Sequence, residues 1–278
     1  MKLISLRHAT AFAVLTLATE QLSASGQIAV LESLKNKEFK VREQRDPSRL
    51  RILKGVRLSG SSQFSKNSLA EIVRKIREHN TSPIAIIDVR QEMHLLGDSD
   101  LAHTIAEKDW SEINHKLEFI IKDEEALVHS GLLEREETIA HGLDLKYLRV
   151  PVTDDTVPHE KAVDAFIEFY KDQIQKDPQA WFHVHCEHGH GRTTTFMTLV
   201  HILNTKGETK LGDILEEQYK CGEVDLAFPP KEKLKEKDVD LQRKRFAFLE
   251  EFHQYVNDKE SGFFADKLWT EWKKIVGE

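Results

Sequence analysis

Cys186 and Arg192 stand with five residues between them in His185-Cys186-Glu187-His188-Gly189-His190-Gly191-Arg192-Thr193, and two of those five are glycine. A thiol and a guanidinium at this spacing can hold and attack a phosphoryl group. The flanking residues indicate how the pair is positioned. Trp181-Phe182-His183-Val184 reads as the end of a buried strand and Thr193 to Leu203 as a mostly buried helix, so the residues between form a loop at a helix N-terminus. Unpaired N–H groups and the positive end of the helix dipole favour an anion there, and Gly189 and Gly191 let the backbone turn tightly enough to aim those groups inward. The same field favours a thiolate. A free cysteine titrates near ~8.5 and falls to roughly 3.5–7.5 in such surroundings, so Cys186 is expected to be ionised and nucleophilic at neutral pH. Arg192 can grip two phosphoryl oxygens with its planar fork. A cysteine ending a strand is more often a small buried hydrophobe; the two glycines and the strand–loop–helix context favour the catalytic reading.

Attack on a phosphate monoester needs an acid to protonate the departing alkoxide. Val150-Pro151-Val152-Thr153-Asp154-Asp155-Thr156-Val157-Pro158 offers two. Leu145 to Val152 is β-rich enough for a strand, Pro158 starts a helix running to about Ile174, and the acidic pair lies between them. Either aspartate could instead cap that helix.

These segments together resemble the bacterial protein-tyrosine-phosphatase-like inositol polyphosphate phosphatases, the cysteine phytases. The loop His185 to Thr194 is similar to the family's His-Cys-Glu-x-Gly-x-Gly-Arg-Thr-Thr, and Thr153 to Pro158 to its Thr-Asp-x-x-x-Pro loop, whose first Asp is the general acid; the resemblance therefore selects Asp154. Asp88-Val89-Arg90-Gln91-Glu92-Met93-His94, after the strand Ile84 to Ile87, matches a third element, and Leu58 to Phe64 and the Pro-x-Lys run after Phe228 are also family-like. The resemblance covers the chain from about residue 40 onward. It implies an α/β, protein-tyrosine-phosphatase-like fold with a central mixed sheet flanked by helices, the catalytic loop lying between a central strand and a helix.

The implied catalytic set is Cys186, Arg192 and Asp154, with His185 orienting the loop and Thr193 hydrogen-bonding the sulfur. Substrate contacts are expected from Glu187, His188, Gly189, His190, Gly191, Asp155 and Asp88, and further out from Arg42, His115, Lys116, Lys237 and Arg245. No metal or other cofactor is required. The partner is a small molecule, an inositol polyphosphate, rather than a nucleic acid, with no stable membrane association. Relatives often have small apolar residues at the positions of His188 and His190, and His at that of Asp155. At an acidic optimum both histidines should be protonated, given an ordinary pKa of ~6.5, and should help hold a polyanion that Asp155 repels.

Composition sets the frame. With 278 residues, 40% hydrophobic and 31% charged, the chain suits one sizeable α/β domain, expected over 26–278. The apolar run Ala9 to Thr19 follows Lys2, Arg7 and His8 and precedes Ser23-Ala24-Ser25; it reads as a secretory signal over 1–25, for a periplasmic or secreted protein, with an amphipathic helix as the alternative. The net charge of −7 does not oppose a polyanionic substrate, because local potential in the cleft decides. The two cysteines, Cys186 and Cys221, could form a disulfide, which would consume the nucleophile. Three rival functions stand beside the phytase reading: a tyrosine or dual-specificity protein phosphatase, an inactive phosphoinositol-binding module, and a metal site built from His183, His185, Cys186, His188 and His190. The coexistence of Cys186, Arg192 and Asp154 speaks against the inactive module.

Overall fold

A computed structural model describes residues 49–97, 133–222, 224–231 and 233–277, positions 124 and 128, and the backbone of two strands at 39–43 and 100–104. The expected signal at 1–25 lies outside the described residues, as do His115, Lys116 and the side chain of Arg42. The chain groups into two compact units. The smaller, Met1–Arg45, Phe64–Ser68 and Glu92–Ile139, contains a three-stranded sheet ordered β1-β6-β5, with β1 Phe39–Glu43, β5 His94–Leu96 and β6 Asp100–Thr104, all antiparallel. Its strands pair only with one another, which is why it separates from the rest.

The larger unit, Asp46–Gln63, Leu69–Gln91 and Ala140–Glu278, contains a five-stranded mixed sheet ordered β2-β3-β8-β4-β7. Its strands are β2 Arg51–Leu53, β3 Leu58–Ser62, β4 Ile84–Asp88, β7 Lys146–Arg149 and β8 Trp181–Cys186. Only β2 runs antiparallel to its neighbour. β8 is the middle strand, buried at every residue, and its near-continuous apolar run is what a strand covered on both faces requires. The chain leaves β8 directly into α4, Gly191–Asn204, in which every residue from Arg192 to Leu203 is buried. A helix covered all round cannot shift without uncovering apolar surface worth about 1.5–3 kcal/mol per large side chain, so it fixes the loop at its N-terminus.

α3, Glu160–Lys176, follows Pro158 and buries Val163, Phe166, Ile167 and Tyr170 on one face, the i, i+3, i+4, i+7 pattern of an amphipathic helix. Phe166 meets Phe196 of α4 edge to face, and Tyr170 stacks on Phe182 of β8. α5, Leu211–Gly222, and α6, Glu236–Asn257, also pack against α4, and the C-terminal α7, Trp269–Val276, is locked to α6 by Trp269 and Trp272 against Tyr255. Among the described residues no helix is long and apolar enough to cross a membrane.

Candidate active site

The C-terminal end of β8 delivers Cys186 to the floor of a cleft of about 360 Å³, lined by Arg49, Asp154, Asp155, Cys186, His188, His190, Gly191, Arg192 and Arg245. Four chain segments converge there: the residues just before β2, the loop after β8, the acidic loop after β7, and one turn of α6.

The catalytic loop is tied down from below. His183 of β8 has Nδ1 2.9 Å from Ser59 Oγ and Nε2 3.2 Å from Ser61 Oγ. The Ser61 hydroxyl donates to Ser62 O, so His183 Nε2–H must donate to Ser61 and Nδ1 must accept from Ser59, which in turn accepts from Trp181 Nε1. The ring is thus a strut between strands, with both nitrogens engaged by serines. His185 is fully buried, 3.9 Å from Asp88 Oδ1, and its carbonyl accepts from Val89 N–H. Asp88, expected at the substrate, is also fully buried, accepting hydrogen bonds from Tyr147 Oη and Arg90 N–H and lying 3.4 Å from Arg149 Nε; it braces the floor and does not reach the cleft.

Gly189 has φ +71°, and a Cβ there would lie 2.6 Å from Ser62 N and 2.9 Å from Ser61 O, so both the turn and the approach to β3 demand glycine. At Gly191 a Cβ would meet the Arg245 guanidinium at 2.4 Å, so the missing side chain admits that arginine to the cleft. Thr193, expected to hydrogen-bond the sulfur, instead has its hydroxyl 3.5 Å from Ser61 O, to which it donates. Glu187 turns its carboxylate inward, 3.8 Å from Arg90, and is absent from the cleft lining.

Arg192 bridges the two loops: Nη1 donates to Val152 O at 3.0 Å and Nε lies 3.1 Å from Asp154 Oδ1. Asp154 is therefore held beside Arg192, its side chain 37% exposed, while Asp155 lines the same cleft from a left-handed backbone, φ +53°. The acidic loop is anchored from behind through Thr153, whose hydroxyl donates to Gln91 Oε1. Arg245 is 7% exposed; burial lowers its pKa, opposed by Asp155, Asp154 and Cys186. Lys237 differs from expectation: its side chain is 67% exposed, 3.9 Å from Asp238 and outside the cleft lining. Two turns of helix separate it from Arg245, the one member of that charged run that the fold turns inward.

Sequence reasoning missed Arg49 and Arg51. Arg49 Nη1 donates to His188 O at 2.7 Å; Arg51 Nη2 donates to Gly189 O at 2.9 Å and Nη1 to Thr194 Oγ1 at 3.2 Å. Burial lowers the Arg51 pKa to about 10, leaving it charged at neutral pH. Their spacing, Arg-x-Arg at the start of a strand, was the available signal, and a basic stretch around it hid the signal.

His190 also departs from expectation. Burial, with help from Arg49, Arg51 and His188, lowers the His190 pKa from 6.5 to about 4. At a mildly acidic optimum His190 is therefore neutral in the free protein. The unfolded chain takes up this proton below about pH 6.5 and the folded chain does so only near 4, so the group's contribution to stability falls as pH drops between those values. His190→Gln should flatten the loss of stability between pH 7 and 4.5 in urea unfolding; an unchanged pH slope would show that the ring titrates normally.

Both cysteines are free thiols, Cys221 exposed and Cys186 buried at the cleft floor. A cysteine at the end of the central strand, in a cleft lined by three arginines and two aspartates, is the architecture of the cysteine-dependent phosphatases. Within that class the chain belongs to the PTP-like phytase family, whose model, described by the words inositol hexakisphosphate, matches residues 35–204. The fold is similar to that of a PTP-like phytase from Bdellovibrio bacteriovorus, with 27% identity, a TM-score of 0.71 and 84% of this chain and 94% of that one covered. It also matches a PTP-like myo-inositol phosphatase from Mitsuokella multacida, solved in complex with myo-inositol-(1,3,4,5)-tetrakisphosphate, at 19% identity and a TM-score of 0.72, covering 96% of this chain and 55% of that one. A curated relative, the effector protein hopD2 of Pseudomonas syringae pv. tomato, is 28% identical over 134 residues, 47% of this chain; the match spans 27% of that relative's length.

Proposed function

We propose that the protein hydrolyses phosphomonoesters of inositol polyphosphates, phytate among them, through a cysteinyl-phosphate intermediate. Cys186 Sγ attacks phosphorus while Arg192 and the loop N–H groups hold the equatorial oxygens. Asp154 gives its proton to the departing inositol alkoxide, and its carboxylate then takes a proton from the water that hydrolyses the S–P bond, releasing phosphate and restoring the thiolate.

The observation that carries the substrate reading is the surplus of cation in the cleft. One phosphoryl group occupies Arg192, yet Arg49 and Arg245 line the same cleft, and among the described residues no Phe, Tyr or Trp does. A ring bearing several phosphates uses that lining; a phosphotyrosine side chain, which needs apolar walls for its ring, does not. The purified protein should therefore release phosphate from phytate in preference to phosphotyrosine peptides, as followed by ion chromatography of the inositol products. Faster turnover of the peptides would favour a protein phosphatase instead. Export to the periplasm or medium belongs to the same proposal and is supported by the apolar run Ala9 to Thr19; N-terminal sequencing of the exported protein tests it.

A further inference from the structure

Three consecutive carbonyls of the catalytic loop are held from outside the loop. Glu187 O accepts from Gln63 N–H at 3.0 Å, His188 O from Arg49 at 2.7 Å, and Gly189 O from Arg51 at 2.9 Å. The next two are engaged by the helix itself: His190 O accepts from Thr194 N–H at 2.8 Å and Gly191 O from Thr195 Oγ1 at 2.8 Å. In a trans peptide the C=O and the following N–H point in opposite directions. Drawing the carbonyls of residues 187, 188 and 189 outward therefore turns the N–H groups of His188, Gly189 and His190 into the hollow of the loop, where a phosphoryl group sits.

Two of these three restraints come from side chains two residues apart, Arg49 and Arg51, that start one edge strand. Arg49 has a left-handed backbone, φ +56°, unusual for a residue with a side chain. Arg51 is 3% exposed and spends two donors on the loop and the first helical turn. A charged donor on a carbonyl also polarises that peptide, which strengthens its N–H as a donor.

We propose that Arg49, which also lines the cleft, and Arg51 are positioning residues that clamp the catalytic loop by its carbonyls, so that the N–H groups of Gly189 and His190 are preset toward the transition-state oxygens. They act through the loop's backbone. The proposal rests on the reading of this loop as a phosphatase cradle, and its test separates the two.

Orthovanadate, which adopts the five-coordinate geometry of the transferring phosphoryl group, reports on the cradle directly. Arg51→Met should lower kcat by about 10²-fold and raise the vanadate inhibition constant by a similar factor, the scale of losing one oriented oxyanion donor, with KM for phytate changed far less. Arg51→Lys keeps the charge but cannot hold both acceptors, so it should fall between Arg51→Met and wild type. Arg49→Gln should move kcat and vanadate inhibition in the same direction, by about 10-fold. Its side chain is exposed, so this variant is expected to fold even if Arg51→Met does not. Folded variants with wild-type kcat and vanadate inhibition, differing only in melting temperature, would overturn the clamp and leave the phosphatase reading intact. A wild-type protein that vanadate does not inhibit would overturn both.

Discussion

Cys186→Ser should bind phytate with affinity close to wild type while turnover falls on the order of 10⁶-fold, the scale on which a covalent catalyst loses rate without its nucleophile. The hydroxyl that replaces the thiol occupies the same buried floor and leaves Arg192, Arg245 and the loop backbone where they are, so ground-state contacts persist. What disappears is the attacking thiolate, and an un-ionised hydroxyl is a poor nucleophile. Titration calorimetry of the variant with phytate, beside acid-quench trapping of the phosphoenzyme, separates the two effects. Wild-type protein should yield an acid-stable phosphoprotein and the variant none; residual turnover within tenfold of wild type would remove Cys186 from the mechanism. Arg192→Lys belongs with it, since a point charge cannot make the contacts to both loops that the fork now makes through Nη1 and Nε.

Asp154→Asn carries the second large effect. General acid catalysis is worth about 10²–10⁴-fold, and the loss should scale with how badly the leaving group needs a proton. An inositol alkoxide needs one and a nitrophenolate hardly does, so the variant should be far more impaired on phytate than on an aryl phosphate. The family's Thr-Asp-x-x-x-Pro pattern makes Asp154 the first choice, and its carboxylate lies in the cleft 3.1 Å from Arg192 Nε. Asp155 shares the cleft, so the control is Asp155→Asn: if that variant shows the leaving-group dependence and Asp154→Asn does not, the assignment is reversed.

Much of this site is written in local sequence. The strand–loop–helix unit around Cys186 is contiguous, its glycines mark the turn, and the apolar runs of β8 and α4 announce burial on all sides; the expected strand and helix differ from those observed by one or two residues at their ends. Contacts made across the sheet are different. Asp88 reads as a polar residue at a strand end near the active site, and nothing local says that Tyr147 and Arg149, on the neighbouring strand, would claim it. Lys237 and Arg245 look alike in a charged run; which of them faces inward depends on where Gly191 leaves room. The histidines at 188 and 190 illustrate the same limit for charge. Reference pKa values describe solvated side chains, and only the fold shows that burial, with Arg49 and Arg51 nearby, lowers the pKa of His190.

The place of β8 in the sheet has a kinetic consequence. It inserts between β3 and β4, and its pairing with β3 joins residues 124 apart in the chain, such as Ser59 and His183. Closing a loop of that length delays the contact during folding. As the chain emerges from the ribosome, β3 and β4 are made long before the strand that belongs between them, and until it arrives each offers an unpaired edge, that of β4 largely apolar, to whatever is nearby. The strand that ends in the nucleophile is thus the last keystone of its sheet. Regain of activity on refolding should coincide with completion of the whole sheet, and the interval before it is when this protein is most exposed to aggregation and most in need of a chaperone.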